Sequence, residues 1–202
     1  MMRVLAVGAH PDDIEAGCAG TLALHKAKGN KVYLLVLSRG EASGNPKTKE
    51  SACKRSAELL GADDLFFGDL KDTMIHPGIE TIEVIEKIVD KVNPDIVYAH
   101  TSKDIHQDHR NAAYATLSAA RRCKRILLYE TPNTLKEFFP QVFTDIEETF
   151  EVKKKVLHLF GHESERFWLA AKAIEGLAVF RGFQAGVRVA EAFEVGRFVL
   201  EV

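Results

Sequence analysis

Two short stretches of this chain hold the residue types that bind a catalytic metal. The first, Ala9-His10-Pro11-Asp12-Asp13, ends the apolar run 3–8. The second, Asp104-Ile105-His106-Gln107-Asp108-His109, follows a second apolar run at 95–99. His10 and Asp13 stand three apart across a turn that opens a helix, a spacing that lets both side chains converge on one ion. With His109 they make three protein ligands and leave one coordination position for water or substrate. Two imidazoles and one carboxylate suit Zn2+ first, and iron, cobalt or manganese also fit. Asp12 should point away from Asp13 and can take a proton from the attacking water. His106, braced by a neighbour such as Asp108, can stabilise an oxyanion as imidazolium. Parts of this kind hydrolyse an amide or an ester.

A plainer explanation exists for each stretch. Pro11 at a first helical position, with Asp12, Asp13 and Glu15 in the first turn, is also ordinary capping and dipole chemistry. Asp104 or Asp108 can cap the second helix in the same way. Two His and two Asp within six residues are harder to explain so, because His is not a favoured cap.

The elements around the motifs alternate. The run 3–8 reads as a strand buried on both faces, followed by a helix at 14–28 that Gly29-Asn30 ends. A strand at 32–37, a Gly-, Ser- and Pro-containing loop at 38–47 and a helix at 49–60 come next. Residues 64–67 form a third strand, 79–92 a helix, 95–99 a fourth strand, 108–121 a helix and 125–129 a fifth strand. This rhythm implies a single-domain α/β fold, a Rossmann-like parallel sheet with helices on both faces. Beyond Glu130 the pattern changes. Residues 131–141 are irregular, 142–146 suit an edge strand, helices are expected at 147–159 and 163–180, and 192–200 suits a closing strand. This C-terminal helical and strand extension is expected to pack on the same sheet, so that 1–202 form one domain.

In the doubly wound strand order 3-2-1-4-5, the order reverses between the first and fourth strands, and ligands bind beyond their carboxyl ends. Both motifs sit at those two strand ends. They are therefore expected to meet in space, which neither motif alone would suggest.

Composition narrows the class. The chain has 202 residues, 46% of them hydrophobic, enough for one full core. A formal net charge of -2 gives no reason to expect a nucleic-acid partner. Cys18, Cys53 and Cys123 are odd in number and far apart, which disfavours disulfides and suits a cytoplasmic location. The first strand begins within two residues of Met1, and no apolar run is long enough to span a membrane.

Ala9-His10-Pro11-Asp12-Asp13 with Glu15, Pro94-Asp95-Ile96-Val97 and the second His/Asp stretch together resemble the LmbE-like (PIG-L) family of zinc-dependent N-acetylglucosaminyl deacetylases. The resemblance takes in Ser38-Arg39-Gly40-Glu41, Leu60-Gly61 and Asp72. It continues through Phe139-Pro140, residues 143–146, Arg181-Gly182 and residues 190–193. It implies His10, Asp13 and His109 as zinc ligands and Asp12 as general base. It also implies His106 as the residue that stabilises the tetrahedral intermediate, oriented by Asp108. The substrate it implies is a small N-acetyl amino sugar, and it implies a homo-oligomer. Many relatives carry an R-x-x-E pair in the second helix where this chain reads Lys49 and Ala52, and S-Q where it reads Ser164-Glu165.

A second enzymatic reading keeps the site and changes the bond to a larger acyl group or a thiol conjugate. A third, a metal-free nucleotide-binding or regulatory module, lacks the G-x-G-x-x-G turn that such folds use for pyrophosphate. Arg39 should rim the cleft and contact a sugar hydroxyl or phosphate, or else be a solvated loop residue. Asp72 is a sugar-hydroxyl acceptor by resemblance and otherwise an ordinary turn residue. Glu15 is expected to brace the first motif through backbone or a basic neighbour. His158, His162 and Glu163 read as surface or lid residues, because Gly161 interrupts the helix. His100, at a strand end, could line the cleft but reads first as a satisfied near-core histidine. His25 and His76 carry no functional signal, and residues 151–155 read as a solvated helix face.

Overall fold

The computed structural model describes residues 1–161 and 165–200, with the backbone alone for 165–170. The expected residues His162, Glu163 and Ser164 lie outside the described residues, and so does the side chain of Glu165. Along the chain come β1 (Arg3–Gly8), α1 (Asp13–Ala27), β2 (Lys31–Ser38), α2 (Pro46–Leu60) and β3 (Asp64–Leu70). These are followed by α3 (Ile79–Val92), β4 (Ile96–His100), α4 (Gln107–Ala119) and β5 (Arg125–Tyr129). The C-terminal part holds β6 (Val142–Asp145), α5 (Phe150–His158), α6 (Glu165–Ala185) and β7 (Ala190–Phe198).

The strands form one sheet in the order β3-β2-β1-β4-β5-β7-β6. The first five run parallel, and β7 runs antiparallel to both β5 and β6. The chain is thus a single α/β domain with the expected 3-2-1-4-5 order and an antiparallel extension. β1 pairs with β2 on one side and β4 on the other, so the reversal falls between β1 and β4.

Alternation along β1 shows why it reads as a continuous apolar run. Val4 and Ala6 join a core with Ile14, Cys18 and Leu22 of α1, Leu60 of α2 and Val156 of α5. Leu5 and Val7 turn the other way, into a core with Ile85 and Val89 of α3 and Ala112 and Ala115 of α4. Both faces are covered, as a parallel strand requires. Each fully buried Leu or Ile adds about 1.5–3 kcal/mol relative to an exposed one. β1 is therefore held from two sides, which fixes where its carboxyl end points.

Several boundaries differ from expectation. α2 starts at Pro46 rather than 49, because Asn45 Oδ1 accepts from the Lys47 N–H at 2.9 Å and caps a helix whose first position takes Pro. The same Pro had suggested a loop. A single helix over 147–159 gives way to a 3-10 turn (Glu147–Thr149) followed by α5. α6 runs on to Ala185, where Gly186 at φ 74 releases the chain, and β7 begins at Ala190 rather than 192.

A buried ion pair ties the C-terminal extension to α1. Lys153 Nζ lies 2.5 Å from Glu191 Oε1, and both side chains are almost fully buried. The Glu191 carboxylate accepts from the N–H groups of Gly20 and Thr21, while Lys153 donates to the Ala16 carbonyl. Residues 151–155 are thus not wholly a solvated face; Lys153 points inward because α1 offers it partners.

Candidate metal centre

The turn after β1 is not a capping turn. Asp12 occupies the position before the first residue of α1, yet its side chain makes no cap hydrogen bond. Its backbone sits at φ 100, ψ -18, a left-handed conformation that side-chain-bearing residues rarely adopt. Such strain persists only where the surroundings impose it, and it gathers at functional sites. Asp13 Oδ2 instead closes the turn by accepting from the His10 N–H at 2.7 Å. In the second motif the cap is His106 itself, whose Nδ1 accepts from the Asp108 N–H at 3.2 Å. Asp104 supports it, with Oδ1 accepting from the His106 N–H at 2.8 Å.

β1 and β4 bring the two motifs together. Asp13 Oδ2 lies 3.4 Å from His10 Nδ1, and Asp13 Oδ1 lies 3.2 Å from His109 Nε2. Candidate ligand atoms of His10, His106 and His109 fall within 4.8 Å of one another, as do those of Asp13, His100 and His109. The rings of His106 and His109 stack at 4.6 Å between centroids. Asp13 and His109 are both buried, so these groups face one another with little water between them.

The electrostatics follow from crowding carboxylates against imidazoles. Burial opposes a charge on His10, but Asp108 and Asp13 outweigh it and lift the pKa to about 10. Burial likewise opposes a charge on His109, and Asp13 and Asp104 outweigh it, giving about 9. Burial works against a charged Asp13, but His109 and His100 hold it well below the carboxylate range. Asp12 goes the other way. Burial pushes its carboxyl up to about 8, with Asp13 and Glu15 adding to the shift. Burial, together with His109 and His10, lowers His106.

These residues fit a divalent cation. The carboxylates demand positive charge, which a divalent ion supplies more fully than protons on His10 and His109. Three buried polar atoms in the cluster, His100 Nδ1, His109 Nδ1 and Asp108 Oδ1, make no hydrogen bond, the signature of groups that take another ligand. Nitrogen and carboxylate oxygen are the donor set of zinc and its neighbours.

Some expected residues take other partners. The Asp108 carboxylate does not reach His106. Its Oδ2 lies 3.1 Å from His10 Nε2 and accepts from the Thr73 N–H at 2.8 Å. Asp72 is buried in the cluster, with Oδ1 at 3.1 Å from His10 Nε2 and Oδ2 accepting from the Ala42 N–H. Arg39 is drawn aside: it pairs with Glu50 at 2.5 Å and Asp69 at 2.7 Å and lies over the Phe67 ring. Glu15 accepts from the Ser56 hydroxyl at 2.6 Å and also, as expected, from backbone, that of Asp12 and its own, rather than from a base.

Three residues join the site beyond those expected. Asp104 Oδ2 lies 3.1 Å from His109 Nδ1 and accepts from the Thr131 hydroxyl at 2.8 Å, bracing the ring from behind. His100, 1% exposed, stands 3.0 Å from Asp13 Oδ2 and stacks on His109 at 4.1 Å. Thr73, at φ 67, contributes only its N–H, so its residue type carried no signal. Asp104 was visible, since a metal-binding His needs a carboxylate on its other nitrogen.

Fold and site together define a class: doubly wound α/β proteins with a buried His/Asp cluster beyond the strands where the sheet order reverses. Residues 5–120 match the family described as PIG-L: GlcNAc-PI de-N-acetylase. The uncharacterized deacetylase YaiS of Escherichia coli K12 is 35% identical over 162 residues, 76% of this chain and 88% of that protein. Diacetylchitobiose deacetylase of Thermococcus kodakarensis is 29% identical over 226 residues, 98% of this chain and 83% of that one. Among solved structures, the 4-carboxy-2-hydroxymuconate hydratase of Pseudomonas putida KT2440 superposes with a TM-score of 0.87 at 21% identity. That match covers 100% of this chain and 99% of the other. The chain belongs to the PIG-L, or LmbE-like, family, whose relatives here include deacetylases. Since a hydratase shares the fold, the fold alone does not choose the reaction. Among the described residues, no helix is long and apolar enough to cross a membrane.

Proposed function

We propose that this protein is a zinc-dependent hydrolase that removes the N-acetyl group from a small GlcNAc-containing substrate, releasing acetate and a free amine. His10, Asp13 and His109 would hold the ion, as other divalent transition metals would also allow. The observation that carries this reading is the convergence of Asp13 on His10 and His109 from the ends of neighbouring strands, with Asp12 strained beside them.

Bound there, zinc would act as a Lewis acid toward the acetamide carbonyl and the attacking water. Asp12 takes a proton from that water and returns it to the departing nitrogen. Burial, with Asp13 and Glu15 beside it, raises the Asp12 carboxyl, and a neighbouring cation would bring it lower, toward a range that serves both transfers. His106 holds the oxyanion. Its Nδ1 accepts the Asp108 N–H, so the neutral ring carries its proton on Nε2 and donates from there. Asp108 and Asp72 grip His10, and Asp104 grips His109, fixing both rings. Asp72 also offers a carboxylate to a sugar hydroxyl, and Arg39 remains a rim contact only if substrate draws it from Glu50 and Asp69.

The three cysteines are free and buried, which fits the reducing cytoplasm. Val179, Phe180 and Phe183 stay exposed on α6, a patch suited to a homo-oligomeric contact and tested by sedimentation. The function is tested by metal analysis of the purified protein and by acetate release from N-acetylglucosamine, its disaccharide and N-acyl analogues. Acetate release that requires zinc supports the reading. Protein that takes up no transition metal, or zinc-loaded protein that releases no acetate, overturns it.

A further inference from the structure

A groove leaves the Asp12 side of the site along α2. Its inner part is a cavity of about 220 Å3 that includes Pro11, Asp12, Lys49 and Phe160. Its outer part, about 340 Å3, shares Thr48, Ala52 and Leu159 with the inner one and ends at Lys47 and Arg55. Thr48, Ser51, Ala52 and Arg55 recur at helical spacing, so one face of α2 forms the floor. From Thr48 to Arg55 the floor runs about 10 Å at the rise of an α-helix.

Charge along this groove is one-sided. Among the described residues, Asp12 is the only carboxylate lining either cavity. The neighbouring cations are engaged: Lys49 on the Gly40 carbonyl and Ser43, Lys54 on Glu50, and Arg39 on Glu50 and Asp69. The side chains of Lys47 and Arg55 make no ion pair or hydrogen bond among the described residues. Among the described residues, two cations without a partner thus stand at the mouth of a groove whose inner end is Asp12.

We infer that the amino-sugar substrate carries an anionic substituent, a phosphate or a carboxylate, which lies along α2 and is held between Lys47 and Arg55. This rests on the deacetylase reading and adds the substrate's second half to it. The guanidinium offers a planar pair of donors and the ammonium a point charge, and both recognise either anion. Because the two cations are exposed, their attraction weakens with salt.

The test uses zinc-loaded protein and three probes: the methyl glycoside of N-acetylglucosamine, N-acetylglucosamine 1-phosphate, and the carboxymethyl glycoside. At least one anionic probe should exceed the neutral one about tenfold in kcat/KM, through KM, and the better of the two identifies the anion. The advantage should shrink as salt rises. In the Lys47→Ala, Arg55→Gln double variant the ratio of anionic to neutral probe should fall toward one. A neutral probe cleaved as well as both anionic ones overturns the inference, as does a preference that survives the double variant. If none of the three is cleaved, the deacetylase reading falls separately. Calorimetric binding of glucosamine 1-phosphate against glucosamine then decides: a tenfold difference lost in the double variant sustains the groove, and equal affinities refute it.

Discussion

Asp13 Oδ1 stands 3.2 Å from His109 Nε2, although one residue follows β1 and the other follows β4. The contact exists because β1 and β4 are hydrogen-bonded neighbours in parallel register, Val4 opposite Ile96 and Ala6 opposite Tyr98. The loops leaving their carboxyl ends therefore open into one crevice.

Asp12→Ala should keep its metal and lose its turnover. Asp12 makes no cap bond and grips no ligand ring, so its removal spares the cluster while deleting the proton acceptor. A loss of about 10²–10⁴-fold in kcat is expected for a general acid–base group. Metal content by mass spectrometry, beside acetate release, checks both halves; near-native turnover would assign the base elsewhere.

Asp104→Asn should weaken metal binding without abolishing it. Asp104 supports His109 Nδ1 from behind and is anchored by Thr131. Partners of this kind contribute about 10–100-fold in affinity or activity. Competition with a chelator measures it, and an unchanged zinc affinity would make the contact incidental.

His25 should shape the acid limb of stability. Its ring lies between the Tyr98 hydroxyl at 3.0 Å and Asn30 at 3.1 Å, and burial, with Lys28 adding, lowers its pKa from 6.5 to about 4. The unfolded chain then binds a proton that the folded chain refuses. Stability is full above pH 6.5, falls as pH drops toward 4, and levels off below, with a slope approaching one proton. His25→Gln should flatten this part of the denaturation profile; an unchanged slope would show that His25 does not cause it.

Gly17→Ala should destabilise, against the usual gain of Ala over Gly within a helix. A methyl group there would overlap the Tyr129 ring. Tyr129 is fully buried, donates to the Val7 carbonyl and lies 4.7 Å from His100, so it has little room to retreat. A loss of about 1–3 kcal/mol is expected from such overpacking, read as a lower denaturation midpoint.

Much of the fold was legible because buried parallel strands are apolar without interruption, and each helix stop carried its own mark. The runs at β1, β2, β4 and β5 announced themselves, as did Gly61 and Asn93. The errors came where one residue serves two uses: Pro46 breaks a loop or begins a helix, and only Asn45 decides. Lys153 looked solvated because nothing near it in sequence shows that Glu191 and the Ala16 carbonyl await it.

The site divides the same way. By itself, the sequence singled out His10, Asp13, His106 and His109 as groups that could meet, because residue types and three-residue spacings at strand ends are local properties. The tertiary structure alone decided who touches whom. It sent Asp108 to His10 instead of His106, turned Arg39 to Glu50 and Asp69, and drew His100 and Asp104 into the cluster. The reason is geometric. A step of one residue along a strand moves a side chain by about 3.3 Å and reverses its face, so contacts between separate loops depend on sheet register.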